Sequence, residues 1–140
     1  MLNLVLFEPE IPSNTGSIIR LSANMGISLH LIKPFGFEMT DKRLRRAGLD
    51  YKELARVYEY DNFDHYINEA KPMRLFAVSS KASQNYTKVK YQENDSFLFG
   101  PETRGLPKEM LGKYVGITLP MQKGSRSLNL SNCVSIVAYE

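Results

Sequence analysis

The chain carries one cysteine, Cys133, and two histidines, His30 and His65, in 140 residues. A single thiol closes no internal disulfide. Cys133 stands beside Val134, Ile136 and Val137 on what reads as a buried helix face, so core packing is its default role. Neither histidine has a Cys, His or carboxylate at ligand spacing, which leaves a metal site unsupported and makes both residues surface or half-buried fillers. No apolar run approaches the ~20 residues that a spanning helix requires. The opening Met1 to Glu8 has no basic start and meets an acid too early for a secretory signal, so a cytosolic protein with no membrane partner is expected. Repeats, low-complexity segments and linkers are absent. So are the G-x-G-x-x-G dinucleotide fingerprint and the Gly-Lys-Ser/Thr phosphate loop, which removes the two commonest nucleotide pockets of α/β proteins.

What is present fits one domain over residues 1–140, since 43% apolar residues build one core and the length does not divide into two. Runs rich in branched and aromatic residues predict strands at Leu2 to Phe7, Ser28 to Ile32, Arg56 to Tyr60, Arg74 to Val78, Ser96 to Phe99 and Gly116 to Leu119. Helical patterns lie between most of them. Asn14 to Met25 places Ile18, Ile19, Leu21 and Met25 on one broad face, opens on a Ser13-Asn14 capping pair and stops at Gly26. Asp61 caps Phe63 to Ala70, Pro107 opens a short helix to about Lys113, and Leu128 to Glu140 closes the chain. Strands alternating with helices predict an α/β fold with a mainly parallel sheet covered on both faces. The last helix is still apolar at Glu140, so either the natural chain continues a little or a partner subunit completes the helix.

Three segments could carry chemistry. In Pro12 to Arg20, Gly16 and Arg20 stack on one helix face, and Arg20 leans toward the free N–H groups of the first turn, a place suited to a phosphate. In Gly100 to Pro107, Gly100 lets a ligand approach the backbone, Pro101 fixes the turn, and Glu102 projects from it with Arg104 as its neutralising partner. In Leu119 to Asn132, Ser125, Ser127, Asn129, Ser131 and Asn132 offer neutral donors and acceptors beside the apolar Leu119, Met121 and Leu128, a mixture suited to a flat heterocycle. Each segment alone also reads blandly, as a capped helix with a surface ion pair, a rigid turn with a Glu–Arg pair, and a serine-rich loop. The net charge of +3 and pI near 9.0 permit an anionic partner without demanding one. Lys42, Arg43, Arg45 and Arg46 crowd one segment, with Arg20, Lys33 and Arg56 as possible neighbours, and a solvated helix face explains such a run equally well.

Taken in order, Glu8-Pro9-Glu10-Ile11-Pro12-Ser13-Asn14-Thr15-Gly16 to Arg20, Asp41 to Tyr51, Phe99 to Pro107 and Ser125 to Asn132 resemble the SPOUT superfamily of RNA methyltransferases. Within it, the resemblance is to the minimal TrmL (YibK-like) enzymes, and it covers nearly the whole chain. It implies a Rossmann-like parallel sheet whose C-terminal part, about residues 75–140, is threaded into a deep trefoil knot that holds S-adenosylmethionine. By the same resemblance the cofactor is gripped at Val78, Gly100, Leu119 and Ser127, with Met121 and Leu128 as neighbours, and leaves as S-adenosylhomocysteine. The implied reaction is 2′-O-methylation of a tRNA wobble cytidine or uridine, with no metal. Arg20 orients and activates the ribose hydroxyl, Asn14 shapes the Arg20 loop, Glu102 holds the pocket, and Ser125 and Asn129 order the cofactor loop and target nucleotide. The implied partners are the tRNA anticodon stem-loop and a second copy of the chain, joined through the first and last helices; neither membrane nor DNA is implied. The basic run Lys42, Arg43, Arg45 and Arg46 would then track an RNA backbone. Two rivals stand beside this reading: a SPOUT 2′-O-methyltransferase of ribosomal RNA or another tRNA position, and a non-catalytic RNA- or nucleotide-binding module.

Overall fold

Runs of consecutive buried residues, such as Leu4, Val5 and Leu6, need cover on both faces of a sheet, and the fold supplies it. The computed structural model describes residues 2–48, 56–122 and 128–140. Its strands are β1 (Asn3–Phe7), β2 (Ser28–Ile32), β3 (Arg56–Tyr60), β4 (Leu75–Val78), β5 (Ser96–Phe99) and β6 (Val115–Ile117). Its helices are α1 (Pro12–Met25), α2 (Lys42–Gly48), α3 (Phe63–Ala70), α4 (Lys108–Lys113) and α5 (Leu130–Tyr139). These bounds match the sequence expectation for β2, β3, β5 and α3, and differ by one or two residues for β1, β4, β6, α1 and α5.

Every strand pairing is parallel, in the order β3-β2-β1-β5-β4-β6. The register sets Leu4 between Leu29 and Phe97, and Leu6 between Leu31 and Phe99. These side chains meet Ile18 and Ile19 of α1, Leu44 of α2, and Val134 and Val137 of α5. Val5, Phe7, Ile32, Ala77 and Leu98 point the other way, onto Phe63 and Tyr66 of α3 and Met110 and Leu111 of α4. Each such large apolar side chain contributes about 1.5–3 kcal/mol by leaving water, so the alternation along the strands fixes which helices lie on which face.

Two helix starts differ from expectation. Helix α1 begins at Pro12, whose fixed φ suits a first turn, and Ile11 precedes it in extended conformation with no side-chain cap. Asn14 is therefore inside the first turn, and its side chain is released for other work. Asn62, not Asp61, caps α3, its Oδ1 accepting the His65 N–H at 2.8 Å. Asp61 instead donates its backbone N–H to His65 Nδ1 at 3.0 Å. Helix α1 does stop at Gly26, where φ is 68° and the Ile27 N–H turns back to the Ser22 carbonyl at 3.1 Å.

Candidate active site

Strand β1 has β2 on one side and β5 on the other, so the chain leaves the carboxyl ends of β1 and β5 in a crevice at the switch point of the sheet, where α/β proteins place ligands. The segment after β1, Glu8 to Ile11, and the loop after β5, Gly100 to Leu106, are clamped together there by reciprocal carboxylates. Glu102 accepts the Glu10 N–H at 2.8 Å, the Ile11 N–H at 2.7 Å and the Asn14 Nδ2 amide at 3.3 Å. In return Glu10 accepts the Thr103 N–H at 2.7 Å and its hydroxyl at 2.8 Å. Those Thr103 bonds, the backbone one foremost, with the Arg104 guanidinium alongside, hold the Glu10 carboxyl below its usual range. Arg104 lies 3.2 Å from Glu8 and 3.5 Å from Glu10. Its partners are thus the acids of the first loop, which corrects the expected Glu102–Arg104 pair: backbone donors occupy Glu102.

The glycine opening this loop also has a local reason to be glycine. A Cβ on Gly100 would lie 2.5 Å from the Leu106 nitrogen and 2.6 Å from the Gly105 carbonyl carbon. The missing side chain therefore makes room for the loop's own return, which the Gly105 N–H closes onto the Pro101 carbonyl at 2.9 Å with Gly105 at φ 69°. The third segment joins through amides. Asn129 donates its Nδ2 to Asn14 Oδ1 at 3.2 Å, while its Oδ1 caps α5 by accepting the Asn132 N–H at 3.2 Å. Asn14 is thus a bridge between Glu102 and Asn129, and all three segments singled out from the sequence meet at one place.

They border a pocket of about 430 Å³. Of the residues expected there, Asn14, Val78, Gly100, Glu102, Leu119, Met121, Leu128 and Asn129 line it. Arg20 does not; it stands exposed further along α1. Ser125 and Ser127 lie outside the described residues, as does the side chain of Arg45, whereas Lys42, Arg43 and Arg46 of the basic run are exposed. Arg43 is paired with Asp41 at 3.0 Å, and Lys33 sits near Glu59 and Asp61 at 3.9 and 4.0 Å.

Several wall residues were not foreseen: Ser79, Ser80 and Lys81 after β4, Thr118 after β6, and Cys133 on α5. The loop after β4 carries no glycine motif, so only its place at a strand's carboxyl end could have flagged it. Cys133 is half-buried at the pocket wall, and burial pushes its thiol up to about 11.

His30 is not a surface filler. It is 7% exposed, and burial pushes its imidazole down to about 4. Asn3 Oδ1, 3.3 Å from Nε2, can only accept, so Nε2 carries the proton and Nδ1 accepts from the Tyr60 hydroxyl at 2.8 Å. Tyr58 and Tyr60 stack on the ring. The imidazole is neutral and satisfied, beside a wider hollow of about 850 Å³ that also takes in Glu69 and Asn94. Among the described residues, no three His, Cys, Asp or Glu side chains stand close enough to hold a metal ion, and no helix is long and apolar enough to cross a membrane.

A parallel α/β sheet with a loop-built pocket at its switch point defines a ligand-binding α/β protein whose charged and amide groups are aimed at one crevice. The SpoU rRNA Methylase family profile matches residues 1–139, so the chain belongs to that family of RNA methyltransferases. A tRNA (cytidine(34)-2′-O)-methyltransferase of Yersinia pestis is 55% identical over 148 residues, covering 100% of this chain and 91% of the relative. A solved structure described as giving structural insights into the 2-OH methylation of C/U34 on tRNA superposes with TM-score 0.95 at 41% identity, over 99% of this chain and 92% of that one. The SpoU methyltransferase AviRb of Streptomyces viridochromogenes, solved with AdoMet, shares the fold at TM-score 0.88 and 20% identity, over 99% of this chain and 58% of that one.

Proposed function

We propose that the protein transfers a methyl group from S-adenosylmethionine to the ribose 2′-oxygen of cytidine or uridine at position 34 of tRNA, the position that its 55% identical relative and its 41% identical structural neighbour act on by description. The observation that carries this reading is the Glu102–Asn14–Asn129 chain of hydrogen bonds, which draws all three resembling segments around one pocket. The residues present fit the cofactor: Val78, Leu119, Met121 and Leu128 give apolar walls, while Ser79, Thr118 and the Gly100 turn add hydroxyls and main-chain groups suited to a heterocycle and a ribose. Bound there, the cofactor supplies an electrophilic methyl group, and the reading needs no metal.

The protein's part is placement. Val78, Gly100, Leu119 and Ser127 hold the cofactor, with Met121 and Leu128 beside it. Glu102 and Asn14 fix the start of α1, Asn129 ties the cofactor loop to it, and Arg20 orients and electrostatically activates the ribose hydroxyl. A guanidinium keeps its proton at neutral pH, so orientation is its first duty and proton acceptance its second.

Arg20 borders no part of the pocket of its own chain, which supports a site completed in a homodimer joined through α1 and α5. Ile136 and Tyr139 of α5, 41% and 70% exposed, offer apolar surface for it. Threading of residues 75–140 as a trefoil knot belongs to the same reading. The RNA partner is the anticodon stem-loop, met by Lys42, Arg43, Arg45 and Arg46, in the cytoplasm.

The test is methyl transfer from labelled S-adenosylmethionine to unmodified tRNA and, separately, to ribosomal RNA, with nucleoside mass spectrometry and an Arg20→Ala control. A 2′-O-methylated nucleotide 34 that disappears with the control is the expected result. Product in ribosomal RNA alone replaces the target, and cofactor binding without transfer to either RNA favours a binding module. Sedimentation as a monomer at micromolar concentration would remove the dimer from the reading.

A further inference from the structure

Among the described residues of the pocket wall, Lys81 is a charged group that the methyl transfer does not yet use. Lys81 lies in the turn after β4, and three hydrogen bonds hold that turn, two within it and one to β6. The Ser79 N–H donates to the Ile117 carbonyl at 3.0 Å, the Lys81 N–H to Ser79 Oγ at 3.1 Å, and the Ala82 N–H to the Ser79 carbonyl at 3.2 Å. The Ala82 methyl also occupies the space over Gly116, where a Cβ would come within 2.9 Å of it, so the turn is seated directly on β6. The Lys81 side chain therefore starts from a fixed backbone at the edge of the pocket.

The other charges of the wall are committed. Glu102 accepts from two backbone N–H groups and from Asn14, and Arg104 faces Glu8 and Glu10. Among the described residues, the Lys81 ammonium has neither an ion pair nor a side-chain hydrogen bond, and the residue is exposed. Among the described residues of the wall, Lys81 is thus the charged side chain left without a partner. An ammonium at such an edge attracts an oxyanion and gains a charge-assisted hydrogen bond from it.

Two sources could supply that oxyanion, the carboxylate at the amino-acid end of the methyl donor or an RNA phosphate. The topology favours the first. Strand β4 lies two strands beyond β1 in the sheet, whereas the basic helix α2 is packed on α1 over the β1 and β2 side. Lys81 shares its wall with Val78 and Leu119, which the cofactor reading already uses. We propose that Lys81 holds the carboxylate of the bound methyl donor, an inference that rests on the cofactor reading above and adds the residue that recognises its amino-acid end.

Calorimetric titration of the full chain with S-adenosylhomocysteine and with 5′-methylthioadenosine, which lacks the carboxylate, tests it. Lys81→Met should weaken S-adenosylhomocysteine about tenfold, about 1.4 kcal/mol, leave 5′-methylthioadenosine unchanged, and be largely rescued by Lys81→Arg. An unchanged melting temperature verifies that the exposed substitution has not disturbed the fold. Equal weakening of both nucleosides would show a general role in the pocket and overturn the assignment. Unaltered S-adenosylhomocysteine affinity, with a raised KM for tRNA and a salt slope reduced by about one, would overturn it in favour of an RNA phosphate. A parent protein that binds neither nucleoside would refute the cofactor reading itself, and this proposal with it.

Discussion

Replacing Glu102 by glutamine tests the clamp that assembles the site. The carboxylate accepts at both oxygens, from the Glu10 N–H on one and from the Ile11 N–H and Asn14 amide on the other. A glutamine keeps the shape but has one oxygen. Whichever way its amide turns, an NH₂ group meets at least one N–H donor, so the best arrangement keeps Ile11 and Asn14 and abandons Glu10. Hydrogen bonds to a charged group contribute about 1.5–3 kcal/mol against about 0.5–1.5 for neutral ones, and a stranded donor costs about 1–3. Because water reaches this rim, the low end of each range applies, and the sum is about 2 kcal/mol. At about 3–4 °C per kcal/mol for a chain of this length, Glu102→Gln should lower Tm by about 6–8 °C. Circular dichroism melts with and without S-adenosylhomocysteine measure the shift, and methyl transfer should fall further than stability because release of the Glu10 N–H loosens the first loop beside Asn14. A variant melting within about 1 °C of the parent, with parental transfer, would show that the clamp does not organise the site.

Gly100→Ala would set a methyl 2.5 Å from the Leu106 nitrogen, so the loop must open at a cost of about 1–3 kcal/mol. Cofactor affinity measured by calorimetry should drop more than stability does, and parental affinity would sink the closed-loop account. For His30, whose pKa falls from 6.5 to about 4 on folding, the neutral ring is the folded form. Its contribution is complete above the unfolded pKa and is lost as pH falls from 6.5 toward 4, amounting to about 3 kcal/mol. Urea melts across that window should show the decline, His30→Gln should flatten it, and equal slopes for the two proteins would contradict the burial argument. Cys133, raised from 9.0 to about 11, holds about a hundredfold less thiolate than an ordinary cysteine at neutral pH. Iodoacetamide should therefore label the folded chain about a hundredfold more slowly than the urea-unfolded one, and comparable rates would mean that the thiol is solvated.

Local architecture was legible in the linear chain: six strands from their branched and aromatic runs, the stop of α1 at Gly26, and the parallel α/β class. These depend on periodicity and on residues a few positions apart, which a linear reading carries. The three segments that carry the site were legible too, because their composition departs from that of core or surface. Their joining was not. Glu102 binds backbone 91 and 92 residues away, and Asn129 reaches Asn14 across 115. Arg104 was drawn to Glu8 and Glu10 rather than to the carboxylate two residues before it, because the β1–β5 pairing brings those acids alongside. Gly100 read as an opening for a ligand and does line the pocket, but only the path of its own loop showed that a side chain there would collide with backbone. His30 read as a filler until the sheet placed Tyr58, Tyr60 and Asn3 around it. Short-range preferences set which elements form. Hydrogen bonds and ion pairs are spent between strands that the register makes neighbours, and that choice belongs to the tertiary structure.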